Sequence, residues 1–374
     1  MNYTVTLSSI IIITRQSFIQ SSNAIAFIFF SSHAELLSSI PIHSLRSQNI
    51  TSVTGFAAVV GKTEGEGPLK DEFDFVFEDD TLGEASFEKA ESALQKEAVT
   101  RALSKAGKTP DEVDFSLAGD LLNQCIGSSF GLRSLNMPFI GLYGACSTMA
   151  LSLGLASMLV DCGAARVTAA STSSHFCSAE RQFRLPLEYG GQRTPTSQRT
   201  ATAAGASVVE KKQSGKPAVD AVTIGRITDL GIKDANNMGA AMAPAAANTI
   251  ADFLKDTSSS PSDFDMILTG DLGKVGSRLL CELLQKDRGI DIESVHADCG
   301  LLLYDIEKQD VHAGGSGCGC GASVLNSYIM RRLESGELSR VLFVATGALM
   351  SPTSSLQGES IPSIAHAVLL SKPT

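Results

Sequence analysis

The chain is short of positive charge: 30 Lys and Arg stand against 40 Asp and Glu, for a formal net charge of −10 and a pI near 5.1. Nucleic-acid surfaces are built on clustered Lys and Arg, so none is expected here, and anionic lipid should repel the chain on average. Long apolar runs are also missing. Ile10–Ile13 and Ala24–Phe30 are separated by polar residues including Arg15 and Gln16, and each falls far below the roughly 18 residues that span a bilayer. Met1–Ile13 holds no Lys or Arg with which to begin a secretory signal. Cysteine is sparse and irregularly spaced. Eight thiols, mostly inside apolar runs, read as reduced and not as a disulfide framework. Cys318 and Cys320 stand close together, but no second pair or His follows at ligand spacing, so no intrinsic metal site or other cofactor is expected.

Residues 1–48 differ from the rest. They are rich in Ser, Asn and Gln, have Glu35 as their only acid, and are followed by no methionine until Met137. A transit-like or membrane-touching segment is one reading; a non-native or misassigned extension is the favoured one.

What is present is a nucleophile-like turn. In Phe139-Ile-Gly-Leu-Tyr-Gly-Ala-Cys146-Ser-Thr-Met-Ala, an apolar stretch passes through glycine into a thiol and then into small helix formers. Unpaired N–H groups and the positive end of a helix dipole stabilise an anion there, which would lower the thiol pKa. Cysteines are also among the most buried residue types, so a plain core thiol is an equal alternative.

The chain repeats itself. Asp111-Glu-Val-Asp-Phe-Ser-Leu-Ala-Gly-Asp120-Leu-Leu is echoed by Ser262-Asp-Phe-Asp-Met-Ile-Leu-Thr-Gly-Asp271-Leu-Gly. Gly144-Ala-Cys and the following Asp161-Cys-Gly-Ala-Ala-Arg-Val correspond to Cys318-Gly-Cys and Ser335-Gly-Glu-Leu-Ser-Arg-Val, which pairs Cys146 with Cys320 and Arg166 with Arg340. Three ordered correspondences make two halves, 49–225 and 226–374. Continuous apolar strands imply sheets covered on both faces, with the small-residue helices after Gly144 and Gly317 between them. The expected architecture is a duplicated five-layer α/β/α/β/α fold.

A duplicated α/β chain with Gly144-Ala-Cys-Ser-Thr at the head of a central helix resembles the thiolase and ketoacyl synthase superfamily. Within it, Ala118-Gly-Asp-Leu-Leu-Asn-Gln, Ala179-Glu-Arg-Gln-Phe-Arg, Glu188-Tyr-Gly-Gly-Gln, Met242-Ala-Pro-Ala-Ala, Ala297-Asp-Cys-Gly, Ala313-Gly-Gly-Ser-Gly-Cys and Ala345-Thr-Gly-Ala-Leu-Met-Ser-Pro-Thr resemble the stage V sporulation protein AD family from about Val53 to Lys372. The resemblance implies a thiolase-like fold that binds dipicolinic acid (pyridine-2,6-dicarboxylate), alone or as its calcium chelate, for uptake into the developing spore. It also implies a peripheral place at the spore inner membrane, beside membrane-embedded proteins of the same operon, and a possible homodimer.

Condensing enzymes need His, or His and Asn, to hold the thioester oxygen. Where initiating ketoacyl synthases carry them, this chain has Thr269-Gly-Asp271 and Ser316–Cys320. No catalysis is therefore expected; the alternative is an acyltransferase or condensing enzyme using Cys146 with His366. Ligand contacts are expected from Cys146, Ser147, Asp120, Ser173, Ser174, His175, Arg181, Arg184 and Asp271, because a dicarboxylate needs donors and cations. Asp120, Asp271 and Asp298 could contact calcium arriving with the ligand.

Overall fold

The computed structural model describes residues 44–183 and 193–374, without the side chains of 46–50. Ten strands run side by side in the order Phe139–Gly141, Phe115–Gly119, Val167–Ser174, Ala203–Lys211, Ser44–Val60, Ala218–Thr223, Ser363–Ser371, Arg340–Ala348, Met266–Thr269 and His296–Asp298. The order divides at its middle into two fives of the same design. In each, three outer strands are parallel and two inner ones antiparallel. The fives meet where the start of Ser44–Val60 pairs antiparallel with Ala218–Thr223. The strand begins at Ser44, so the segment 1–48 set apart by composition already contains sheet; residues 1–43 lie outside the described ones.

The helix Thr148–Asp161 explains the layering. Its sequence is apolar or small all round, and it packs against strands of both fives, as a helix without a polar face must. Met149, Leu153, Ala156 and Val160 join one core with Leu117, Val222, Phe343 and Val368. Gly154 sits at a tight crossing, where a Cβ would lie 2.7 Å from a Val222 methyl. Its counterpart starts at Cys318–Val324 and runs on through a π turn, Leu325–Ile329, to Met330–Ser335. Outer helices Phe87–Lys105 and Met238–Thr257 cover the far faces, capped by Ser86 and Asn237 side chains.

The repeat holds, but the structure shifts its register. Asp114 accepts the N–H groups of Arg166 and Val167, and Asp265 accepts those of Ser339 and Arg340. Arg166 therefore answers to Ser339, not Arg340. The thiol pairing moves too. Ala145 and Gly317 each stand immediately before a cysteine with positive φ, 49° and 95°, and Gly347 abuts Ser147 N as Ser174 abuts Gly319 N. Cys146 thus corresponds to Cys318. Sequence matching slid past this because both Cys318 and Cys320 offer a sulfur; the backbone turn decides between them.

Candidate functional site

Two helix starts, one from each half, converge where Cys146 and Cys318 form a small apolar cluster with Leu121, Ala145 and Ala179. A narrow slot of about 30 Å³ opens above it. Its floor is Ala145, Cys146 and Ser316, and its walls are Leu121, Tyr143, Phe183, Met238 and Met350. Glu180, the one acid in the lining, accepts the Thr200 hydroxyl at 3.2 Å. Among the described residues, no Lys, Arg or His lines this slot.

Behind the floor lies Asp271, wholly buried. One oxygen accepts Gly317 N–H at 2.9 Å and the Ser316 hydroxyl at 3.3 Å, and the other accepts the Thr346 hydroxyl at 3.0 Å. The Cys146 thiol lies near enough that each group shifts the other's titration. Burial raises the Asp271 carboxyl to about 7, against the hydrogen bonds that lower it. Burial pushes the Cys146 thiol well above its ordinary value, and the Asp271 charge pushes the same way. Of the two readings the turn left open, this favours the plain buried thiol: beside a carboxylate a thiol is held protonated, because ionising it would place two negative charges side by side.

Burial raises the pKa of Glu91, Asp120, Asp271 and Asp298. Asp120 is the repeat equivalent of Asp271, yet it accepts Leu122 N–H and the N–H and hydroxyl of Ser128, so it orders a loop. Asp298 accepts the Thr269 hydroxyl and the N–H groups of Leu272 and Gly273, at the start of the helix Gly273–Arg288. Their oxygens are spent on protein donors. No group of three or more His, Cys, Asp or Glu among the described residues is arranged for a metal ion.

The other expected contacts that are described have partners within the protein. The Ser147 hydroxyl donates to Gly144 O. Ser173 bonds Glu91 and Gln95, and Ser174 links Ala201 O to Gly319 N–H. His175 Nδ1 accepts Cys177 N–H, which leaves Nε2 to donate to the Asp80 carbonyl at 2.7 Å. Arg181 is exposed and paired with Glu88; Arg184 lies outside the described residues. His366 is no partner for Cys146 either. It sits inside a strand opposite Ala345, accepts Gly225 N–H at 3.2 Å, and is lowered by burial to about 4. Of the expected set, the structure brings only Cys146 and Asp271 together. Leu121, Tyr143, Phe183 and Met350 were missed as walls, although Leu121 and Met350 lie within quoted motifs and Phe183 beside the expected arginines; nothing in an apolar side chain announces which cavity it lines.

A sequence-family model described as stage V sporulation protein AD matches residues 42–371. The chain belongs to the stage V sporulation protein AD family. Stage V sporulation protein AD of Bacillus subtilis (strain 168) is 45% identical over 320 residues, covering 86% of this chain and 94% of that one. Among solved structures, 3-oxoacyl-[acyl-carrier-protein] synthase III from Aquifex aeolicus has a TM-score of 0.53 at 14% identity, covering 86% of this chain and 99% of its own. An OleA variant from Xanthomonas campestris has a TM-score of 0.54 at 14% identity, covering 90% and 100%. At that identity the likeness shows the fold: this family member has the thiolase-like α/β/α/β/α architecture. No described helix is long and apolar enough to cross a membrane.

Proposed function

We propose that this family member binds pyridine-2,6-dicarboxylate for uptake into the developing spore and catalyses nothing. The observation that carries the non-catalytic half is the buried Cys146 thiol beside the buried Asp271 carboxyl, with no His in the described lining. Asp271 can take the thiol proton only uphill. From about 7 to a thiol's ordinary 9.0 is already about 3 kcal/mol, before burial of the thiol is added. The ligand comes from the family resemblance, and the lining bears on its form. A slot without cations disfavours a free dianion, whereas the 1:1 calcium chelate is neutral and loses less on leaving water. Calcium is then cargo carried by the ligand.

The protein acts at the spore inner membrane through membrane-embedded partners. The exposed edge strand Phe139–Gly141, with Phe130 and Ile126 exposed nearby, is the surface on which a second copy would pair. Calorimetry with the calcium chelate, the free acid with EDTA, and calcium alone tests the binding function. Saturable heat with the chelate is expected; no heat at millimolar ligand overturns the reading. A second reading, acyl transfer on Cys146, is favoured only by the thiol on the slot floor. Mass spectrometry after incubation with acyl-CoA of several chain lengths decides it, and an acyl-Cys146 adduct would replace the first reading.

A further inference from the structure

Outside the slot lies a second chamber that neither the repeat nor the thiol predicts. It is open and about 440 Å³. Asn123, Gln124, Ser351 and Ser354 give it amide and hydroxyl groups, and no charged residue is among its described lining. Tyr143 and Met350 belong to both cavities, so they form the wall between them. The volumes are unequal in a way that matters. About 30 Å³ admits roughly two water-sized spheres, too little for an aromatic ring with two carboxylates, whereas the outer chamber has room for one. Its backbone is strained as well: Gln124 and Cys125 are consecutive non-glycine residues with φ of 56° and 52°, and such strain collects at ligand sites. Gln124 is thereby held exposed at the chamber wall, and Asn123 is fixed by a 2.8 Å bond from Gln182 Nε2 to its Oδ1.

We infer that the outer chamber is a separate loading subsite for an uncharged, oxygen-rich planar chelate, and that Tyr143 and Met350 are the gate it must displace to reach Cys146. This rests on the binding function proposed above. Uncharged amides and hydroxyls suit a ligand whose carboxylates are already neutralised by a cation, since a dianion would find no counter-charge there.

Stopped-flow mixing with the uncharged calcium chelate of pyridine-2,6-dicarboxylate, followed by the absorbance of its pyridine ring, reads the two steps. The wild-type chain should bind in a fast phase whose rate rises linearly with ligand, followed by a slow phase independent of ligand concentration. Tyr143→Ala should speed the slow phase at least tenfold, and Tyr143→Phe, which keeps the ring, should leave it unchanged. Gln124→Ala should weaken the fast phase several-fold. Met350→Ala carries the gate expectation should Tyr143→Ala fail to fold. Binding in a single phase, or a slow phase indifferent to both gate truncations, overturns this inference while leaving the binding function standing. Absence of any signal from the wild-type chain removes the binding function and the loading site together.

Discussion

Replacing Asp271 with Asn should release the Cys146 thiol. In the native chain the charge of this carboxylate opposes thiolate formation. At a separation of ~4 Å and an effective dielectric of about 20, a full charge contributes about 4 kcal/mol, or about 3 pK units. Cys146 titrates at high pH, where Asp271, at about 7, is fully ionised, so Asp271→Asn should lower the apparent Cys146 pKa by up to about 3 units; at pH 7.5, where about a quarter of chains already carry a neutral Asp271, its alkylation rate should rise about fourfold at most, with the gain growing towards pH 10. The assay is iodoacetamide labelling from pH 6 to 10, with the Cys146 peptide resolved by mass spectrometry and the exposed Cys162 as internal reference. The substitution has its own cost. The amide puts N–H groups where Asp271 now accepts from Gly317, Ser316 or Thr346, and a buried donor facing a donor costs about 1–3 kcal/mol, readable as a lower melting temperature. A Cys146 rate unchanged or slowed in a folded Asp271→Asn chain would refute the account of why the thiol is inert.

Stability should also depend on pH with a defined sign. Glu91, Asp120, Asp271 and Asp298 all have folded-state pKa values raised by burial. The folded state therefore binds protons that the unfolded chain has released, and stability falls as pH rises through the folded values. For Asp271 that window runs from about 4 to about 7, so from pH 6 to pH 8 the wild-type chain should lose more stability, or gain less, than an Asp271→Asn chain in scanning fluorimetry; identical pH slopes for the two would contradict the assignment. Gly154→Ala should destabilise by about 1–3 kcal/mol in urea titration, because its new methyl meets Val222, and Val222→Ala should restore part of the loss. Arg181→Ala should leave ligand affinity within twofold in calorimetry, since this exposed side chain is engaged with Glu88 away from the slot.

The fold was legible in the sequence to the extent that backbone patterns carry it. Strand ends at Gly119-Asp120 and Gly270-Asp271, and all-apolar helices after Gly144 and Gly317, state a period and a burial that one chain can show. Register was less legible, since Arg166 and Arg340 match by eye while the Asp114 and Asp265 hydrogen bonds place them one residue apart. The site was legible only at its backbone-defined point, Cys146, and at Asp271. Ser173, Ser174 and His175 were sought as ligand donors because they end a strand near the thiol. A serine hydroxyl 2.7 Å from Ala201 O cannot be told in sequence from one facing a ligand. Side-chain direction depends on partners more than 20 residues away, and those partners are set by packing.

The first strand imposes an order on synthesis. Ser44–Val60 pairs on one side with Ala203–Lys211 and on the other with Ala218–Thr223, so Thr51 waits for Lys211 and Ser44 for Thr223. Apart from the short parallel bridge of Val59 and Val60 to Phe75 and Val76, roughly 140 to 180 residues must follow before the long pairings on either edge of this strand can form. Until then the apolar face carrying Val53, Phe56 and Val60 has no extended sheet to join. A nascent chain paused short of residue 200 should therefore remain open to chaperones and proteases along that strand, and resistance should appear abruptly once the first half has closed.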